Sequence, residues 1–282
     1  MSYPYIPEMS TEELLNAVNT YLCPMDERIQ EVFDFMTDYG YYVIGDNDGM
    51  ADAGFSTTIY EHNAPFIFMH TYGEYHDLSG VAHEFGHCID GYYNRQENVM
   101  FGGETFDILE VHSTAMEFLL SSYYDDIYGS NADYVRQKQY YSQLDSVLMG
   151  CVYDEFQQYI YTHPDMSVED INRYYRSVTA SYGYVDPEDG DRSYGWMLIP
   201  HNFESPMYYI SYATSALTAM DIWSRSLTDR DAAVAEYMEF LSYGSVEYGY
   251  LELLDKCGMD SFLDAGYVER VTDPVFKAIG DY

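Results

Sequence analysis

A mainly α-helical protein with one small β-sheet is what this sequence predicts, and three observations predict it. Apolar residues recur at helical spacing through most of the chain, before residue 40 and again after residue 77. Between those stretches lie three short β-rich runs, Tyr41–Ile44, Gly54–Tyr60 and Pro65–His70, separated by Gly, Asn and Asp. No internal repeat, low-complexity tract or Gly/Ser linker divides the 282 residues, so a single domain over residues 1–282 is expected.

Ser10 and Glu13 have the spacing of a capping box, with Leu14, Leu15, Val18 and Leu22 following on one helical face and Pro24 ending the helix. A second helix is expected from Met25 to Tyr39, with Ile29, Val32, Phe33 and Met36 on one side. Pro65 has no N–H for a ladder and suits the start of a strand or an edge. Asp77 stands where an N-cap belongs, and no proline interrupts the run to Asp90, so the next helix begins there. Gly91 to Gly103 reads as a turn-rich connection. A helix from Thr105 to Tyr124 follows, carrying Ile108, Leu109, Val111, Ala115, Met116, Phe118 and Leu119. Asn131 to Tyr161 is a long amphipathic helix, and Ser167 with Asp170 caps another. Val185 to Gly195 is an acidic loop. Ser205 and Pro206 read as an N-cap and a first-turn proline, opening a helix to Ser226, and three shorter helices finish the chain.

Composition excludes several functions. A net charge of −36, with nothing in the sequence resembling a basic patch, argues against neutralising the phosphates along a nucleic acid or docking on anionic lipid. That charge is read as a solubility feature. No run of about 18 apolar residues offers a membrane span. The stretch Met1–Glu8 lacks a basic segment followed by an apolar one, so no secretory signal is expected. Cys23, Cys88, Cys151 and Cys257 are scattered without a close pair, which fits a reducing cytoplasm better than a disulfide framework.

The chemistry centres on His83-Glu84-Phe85-Gly86-His87. On a helix, residues four apart lie one turn above each other, so both imidazoles can reach one cation while Glu84 points beside them. That is the two-histidine half of a zinc site, with a carboxylate placed to take a proton from a zinc-bound water. A third ligand is needed, and the histidine that would complete a different branch six residues after His87 is Tyr93. Glu110, Ser113 and Glu117 project from one side of the following helix at spacings of three and four. If that helix packs on the first, Glu110 completes the set and Glu117, two turns on, can hold a ligand from behind. The plainer alternative is that Glu104, Glu110 and Glu117 are a solvated face. His62, His70, His76 and His163 read as surface or strand-end residues, and Cys88 as a small buried one. Asp186, Glu188, Asp189 and Asp191 look superficially like a calcium loop, but Gly190 breaks the alternating register, so they read as a solvated loop.

The segment Ile108–Leu120 resembles the third-ligand helix of the oligoendopeptidase F / thimet oligopeptidase family of zinc metallopeptidases. Gly54–Thr57 and Pro65–Met69 are similar to the strands that precede that family's His helix. Trp196, Ile199–Phe203 and Tyr208–Ser215 are similar to its downstream His/Tyr motif. Three departures stand out. Asp90 occupies a position where the family has another His, His112 replaces a small residue, and the spacing from His201 to Tyr212 is one residue longer. The resemblance covers the family's catalytic C-terminal half.

The resemblance implies a zincin-like, mainly helical fold with one Zn2+ per chain held by His83, His87 and Glu110, and with Glu84 as general base. It implies His201, Tyr208 and Tyr212 as donors to the oxyanion across a cleft, and Pro65–Met69 as an edge strand that pairs with substrate. The expected function is a cytoplasmic endopeptidase acting on short peptides, with neither nucleic acid nor membrane as partner. The alternative is a non-catalytic zinc- or peptide-binding relic of the same fold, or one half of a two-chain peptidase. Without the family's other half, a homodimer or a separate N-terminal partner is expected to cover the cleft.

Overall fold

The computed structural model describes residues 4–62, 64–94, 106–184, 194–243 and 248–280. Local signals set its first elements. The Glu13 amide donates to the Ser10 hydroxyl at 3.3 Å while the Ser10 amide donates to the Glu13 carboxylate at 2.8 Å, closing the capping box of α1 (Thr11–Tyr21). Pro24 falls in a 3-10 turn at Cys23–Met25. Asp26 accepts from the Arg28 amide to cap α2 (Glu27–Tyr39), which Gly40 ends in the left-handed region at φ 67°. Leu14, Val18, Ile29, Val32 and Met36 all turn inward and are buried.

Three strands follow, β1 (Tyr42–Gly45), β2 (Gly54–Ile59) and β3 (Ala64–His70), in the order β1-β3-β2. β1 runs parallel to β3, with Tyr42 opposite Ile67, and β2 runs antiparallel to it, with Gly54 opposite Met69 and Thr58 opposite Pro65. The Pro65–Met69 run is therefore the middle strand, which corrects its expected role as an edge. It is the most apolar of the three, with Ala64, Ile67 and Met69 buried, and the sheet gains most by covering it on both sides. Pro65 is tolerated because it sits at the strand's second residue. The free edges belong to β1 and β2.

The long helices are α3 (Asp77–Tyr93), α4 (Phe106–Ser121), α6 (Ala132–Thr162) and α9 (Ile210–Ser226), with the short α5 (Tyr124–Tyr128) linking α4 to α6. Asp77 is the first residue of α3, not its N-cap, a position held by His76. Its buried carboxylate instead accepts from the Tyr72 and Glu74 amides at 3.0 Å each, tying down the turn that delivers β3 to the helix. Ser167 caps α7 (Val168–Ser181) as expected. The helix expected from Ser205 does not form as one piece. The four-residue α8 (His201–Glu204) ends at Ser205, and α9 begins only at Ile210. Met207 adopts φ 65°, a left-handed conformation incompatible with a continuing helix, and its amide is taken by the Gln157 side chain at 2.6 Å. α10 (Arg230–Ser242), α11 (Tyr250–Lys256) and α12 (Tyr267–Ile279) complete the chain. The acidic segment at 185–193 and most of the connection after Gly91 lie outside the described residues. Among the described residues no helix is long and apolar enough to cross a membrane.

The main core gathers α1–α4, the sheet, α9, α10 and α12, with α4 and α9 at its centre. These two helices run in the same direction. Asp107 near the start of α4 accepts from Ser211 near the start of α9 at 2.9 Å, and eleven residues further along α4 the Phe118 ring meets Trp223. α3 crosses α4 so closely that a Cβ on Gly86 would lie 2.5 Å from the His112 carbonyl oxygen, so only glycine fits between the two His of the motif. A smaller, separate cluster of Val152, Tyr153, Phe156, Tyr175, Val178 and Trp196 joins α6, α7 and the turn that precedes α8.

Candidate metal and active site

The α3–α4 crossing brings His83, His87 and Glu110 together, with one potential ligand atom from each lying within 4.8 Å of the others. The Glu110 carboxylate oxygen Oε2 is 3.4 Å from His83 Nε2 and 3.6 Å from His87 Nε2. A carboxylate and two imidazole nitrogens converging this way make a donor set suited to Zn2+. The surroundings fit as well. Glu117 Oε1 lies 2.7 Å from His83 Nδ1, which turns the ring so that Nε2 faces Glu110. Gln139 and Gln143 donate in turn to Glu117 Oε2 from α6, at 3.4 and 3.3 Å. Ser113 donates to Glu110 Oε2 at 3.1 Å. Glu110 and Glu117 are both buried, so neither belongs to a solvated face; Glu104 lies outside the described residues.

Charge in this cluster is interdependent. Burial opposes a proton on His83, but its hydrogen bonds to Glu110 and Glu117 outweigh that and hold its pKa well above the usual histidine value. Burial likewise works against the Glu110 carboxylate, and the two histidines more than compensate, keeping it well below the usual range. Glu84 reaches toward β2, where its Oε1 would be 3.5 Å from a Cβ on Gly54, while remaining close enough to both histidines to feel their charge. Its Oε2 is buried without a hydrogen-bond partner among the described residues, and burial raises its pKa against the pull of both histidines.

The residues downstream approach from the opposite side. Tyr208 donates to Glu110 Oε1 at 2.9 Å, so its hydroxyl is engaged with the carboxylate. The Tyr212 hydroxyl is 3.4 Å from His201 Nε2, and the His201 ring stacks on Tyr208 with centroids 5.2 Å apart. Burial pushes the Tyr212 hydroxyl up to about 12, which keeps it a protonated donor at neutral pH. A chain of amides holds this wall in place. Gln157 donates to Asn202 at 2.8 Å, Asn202 donates to the Trp196 carbonyl at 2.7 Å, and Trp196 donates to Asn172 at 2.9 Å.

Sequence reasoning did not pick out Gln139, Gln143, Gln157 or Asn172. Amides on the inward face of α6 and α7 are the signal that points to them. The two unusual residues Asp90 and His112 prove to be neighbours. Their side chains are buried, and His112 Nε2 lies 3.3 Å from Asp90 Oδ1, so both departures meet at one point of the α3–α4 contact. His62, His76 and His163 stand outside the cluster at the surface, His70 lies at the end of β3, and Cys88 is buried.

The model of peptidase family M3 matches residues 28–271. The oligopeptidase PepF of Bacillus subtilis is 26% identical over 268 residues, covering 90% of this chain and 38% of that protein. An X-ray structure assigned as an oligoendopeptidase F superposes with a TM-score of 0.87 at 24% identity, over 98% of this chain and 50% of that one. PZ peptidase A, solved with an inhibitor, gives 0.84 at 23% identity, over 96% and 49%. The fold is thus shared with these enzymes. The chain spans less than two-fifths of the length of the curated relatives it matches.

Proposed function

The chain belongs to peptidase family M3, and from that membership we propose a zinc-dependent endopeptidase site for short peptides, with Glu84 as general base. The observation that carries this reading is the partly buried His83–His87–Glu110 cluster with the Glu84 carboxylate, one residue after the first histidine, lacking a partner on its buried oxygen among the described residues. His83, His87 and Glu110 would hold one zinc ion, and Glu117 would fix the His83 tautomer. Bound zinc supplies Lewis acidity, polarising the scissile carbonyl and lowering the pKa of an attacking water.

The chain's own residues do the rest. Glu84 takes the proton as the water oxygen bonds to the carbonyl carbon, and it returns that proton to the amine as the C–N bond breaks. Its raised pKa brings it nearer to neutrality, where a base that must also act as an acid works best. Tyr212 and His201 offer donors to the oxyanion that develops on the carbonyl. Tyr208 is the weaker choice for that role because it already donates to Glu110, and it positions the ligand instead. The edge that would pair with a peptide backbone is β2, whose first residue, Gly54, abuts Glu84.

The test is metal content measured beside cleavage of a mixed peptide library. The purified chain should carry one zinc, and Glu110→Ala should lose most of it while keeping its helical content by circular dichroism. Unchanged zinc affinity in that variant removes Glu110 from the ligand set.

A second reading, one half of a two-part peptidase, is favoured by the exposed apolar side chains beside His201. Leu198 is 81% exposed and Phe203 59% exposed, both on the short stretch that carries the donor wall. On this reading a second copy or a separate polypeptide covers that face, and activity depends on the contact. Sedimentation and specific activity across a dilution series should fall together. A monomer with constant specific activity at every concentration sinks it.

A further inference from the structure

At the far end of α4, roughly 16 Å along the helix from Glu110, the wall of the molecule opens into a second pocket with a cavity volume of about 540 Å³. Its lining includes Arg136 of α6, Arg230 at the start of α10 and Lys277 of α12. The whole chain has only twelve Lys and Arg against 48 Asp and Glu. Three of those twelve converge among ten lining residues, none of which is acidic. The rest of the polar lining supplies hydrogen-bond donors. Ser122 Oγ and Trp223 Nε1 are both buried with no hydrogen-bond partner among the described residues, and Trp223 is only 3% exposed. An indole N–H can only donate, so this one is left waiting for an acceptor.

Arg136 and Arg230 keep donors for a further partner, and the ion pairs around them are weak ones. Arg136 pairs with Asp133 and Asp125 at 2.8 Å each, one N–H to each carboxylate, and Lys277 pairs with Asp273 one helical turn back. All three of those carboxylates are more than half exposed, where an ion pair contributes little and exchanges readily. Arg230 lies over the Tyr123 ring, 4.5 Å from its centre, an arrangement that leaves the guanidinium edge and its N–H donors in position to bond.

We propose that this pocket binds the phosphate group of a small anion, through Arg136, Arg230 and Lys277. Phosphate is the group whose several acceptor oxygens match two guanidinium forks, an ammonium and unpaired neutral donors. The cavity is larger than a bare phosphate needs, and Leu227, Pro274 and the Trp223 ring give the extra space an apolar side, which fits a phosphate carried on a short organic stem. The site stands apart from the histidine cluster and does not depend on the peptidase reading.

Calorimetric titration of the full chain with inorganic phosphate and with glycerol phosphate tests it, each after metal removal by chelation, so that no phosphate can bind through a metal. Sodium chloride at matched ionic strength is the reference. Saturable binding of phosphate is expected, absent with chloride, and the tighter of the two probes identifies free or carried phosphate as the source. Arg230→Gln should weaken it roughly tenfold or more, as the loss of a charge-assisted bond does. Lys277→Gln, on the exposed side of α12, should weaken it independently. Binding that chloride reproduces, that disappears on chelation, or that survives both substitutions unchanged would overturn the proposal.

Discussion

The two walls of the cleft are built by different physics. On one side, α3 and α4 cross at Gly86 inside the main core, and every group facing the cluster is fixed by a helix packed along its length. On the other, His201, Tyr208 and Tyr212 sit on a four-residue helix, a left-handed kink and the first turn of α9. That second wall rests on the smaller aromatic cluster and on the amide chain through Gln157 and Asn202. The difference teaches where precision comes from. On the proposed reading, the atoms that would share one ion are set by rigid helix crossing, whereas the groups that would meet charge only during reaction hang on a polar scaffold with exposed neighbours such as Phe203.

The largest effect is expected on the rigid wall. Glu84→Gln removes the base without altering shape, so turnover should drop by roughly 10³- to 10⁴-fold. Zinc content and circular dichroism should stay unchanged. Normal peptide cleavage by this variant would dissolve the distinction, because the rigid wall would then hold no reacting group.

A smaller effect belongs to the donor wall. Tyr212→Phe should lower kcat by roughly 10²-fold with KM nearly unchanged, as removal of one oxyanion donor does. Tyr208→Phe sharpens the comparison, because its hydroxyl serves Glu110 and its loss should show first in metal retention, read by competition with a chelator. If the two variants behave alike, the two tyrosines do not serve different walls.

The smallest effect concerns the kink itself. Met207 at φ 65° is strained for a residue with a Cβ, and Met207→Gly should raise stability by up to about 1 kcal/mol in thermal or urea unfolding, the relief being partly offset by a more flexible unfolded chain. A loss of stability would mean that the Met207 side chain contributes more packing than its conformation costs.

Much of this was legible in the residues alone, for a physical reason. The spacing of His83 and His87, the capping box at Ser10, the N-cap at Ser167, and the apolar stripes of α1, α2 and α4 are written within single helices, where a period of 3.6 residues converts sequence into one face. For Glu110, helical spacing alone leaves two readings open, a third ligand or a solvated face, and its place beside both histidines depends on the α3–α4 crossing. What only the tertiary structure decided is non-local. Strand order depends on which run gains most from burial, and it put Pro65–Met69 in the middle of the sheet, leaving β2 as the edge beside Glu84. The break between α8 and α9 depends on Gln157, fifty residues away in sequence, taking the Met207 amide. Asp90 and His112 read in sequence as two separate departures and become neighbours only because Gly86 lets two helix backbones touch, a contact no local pattern encodes.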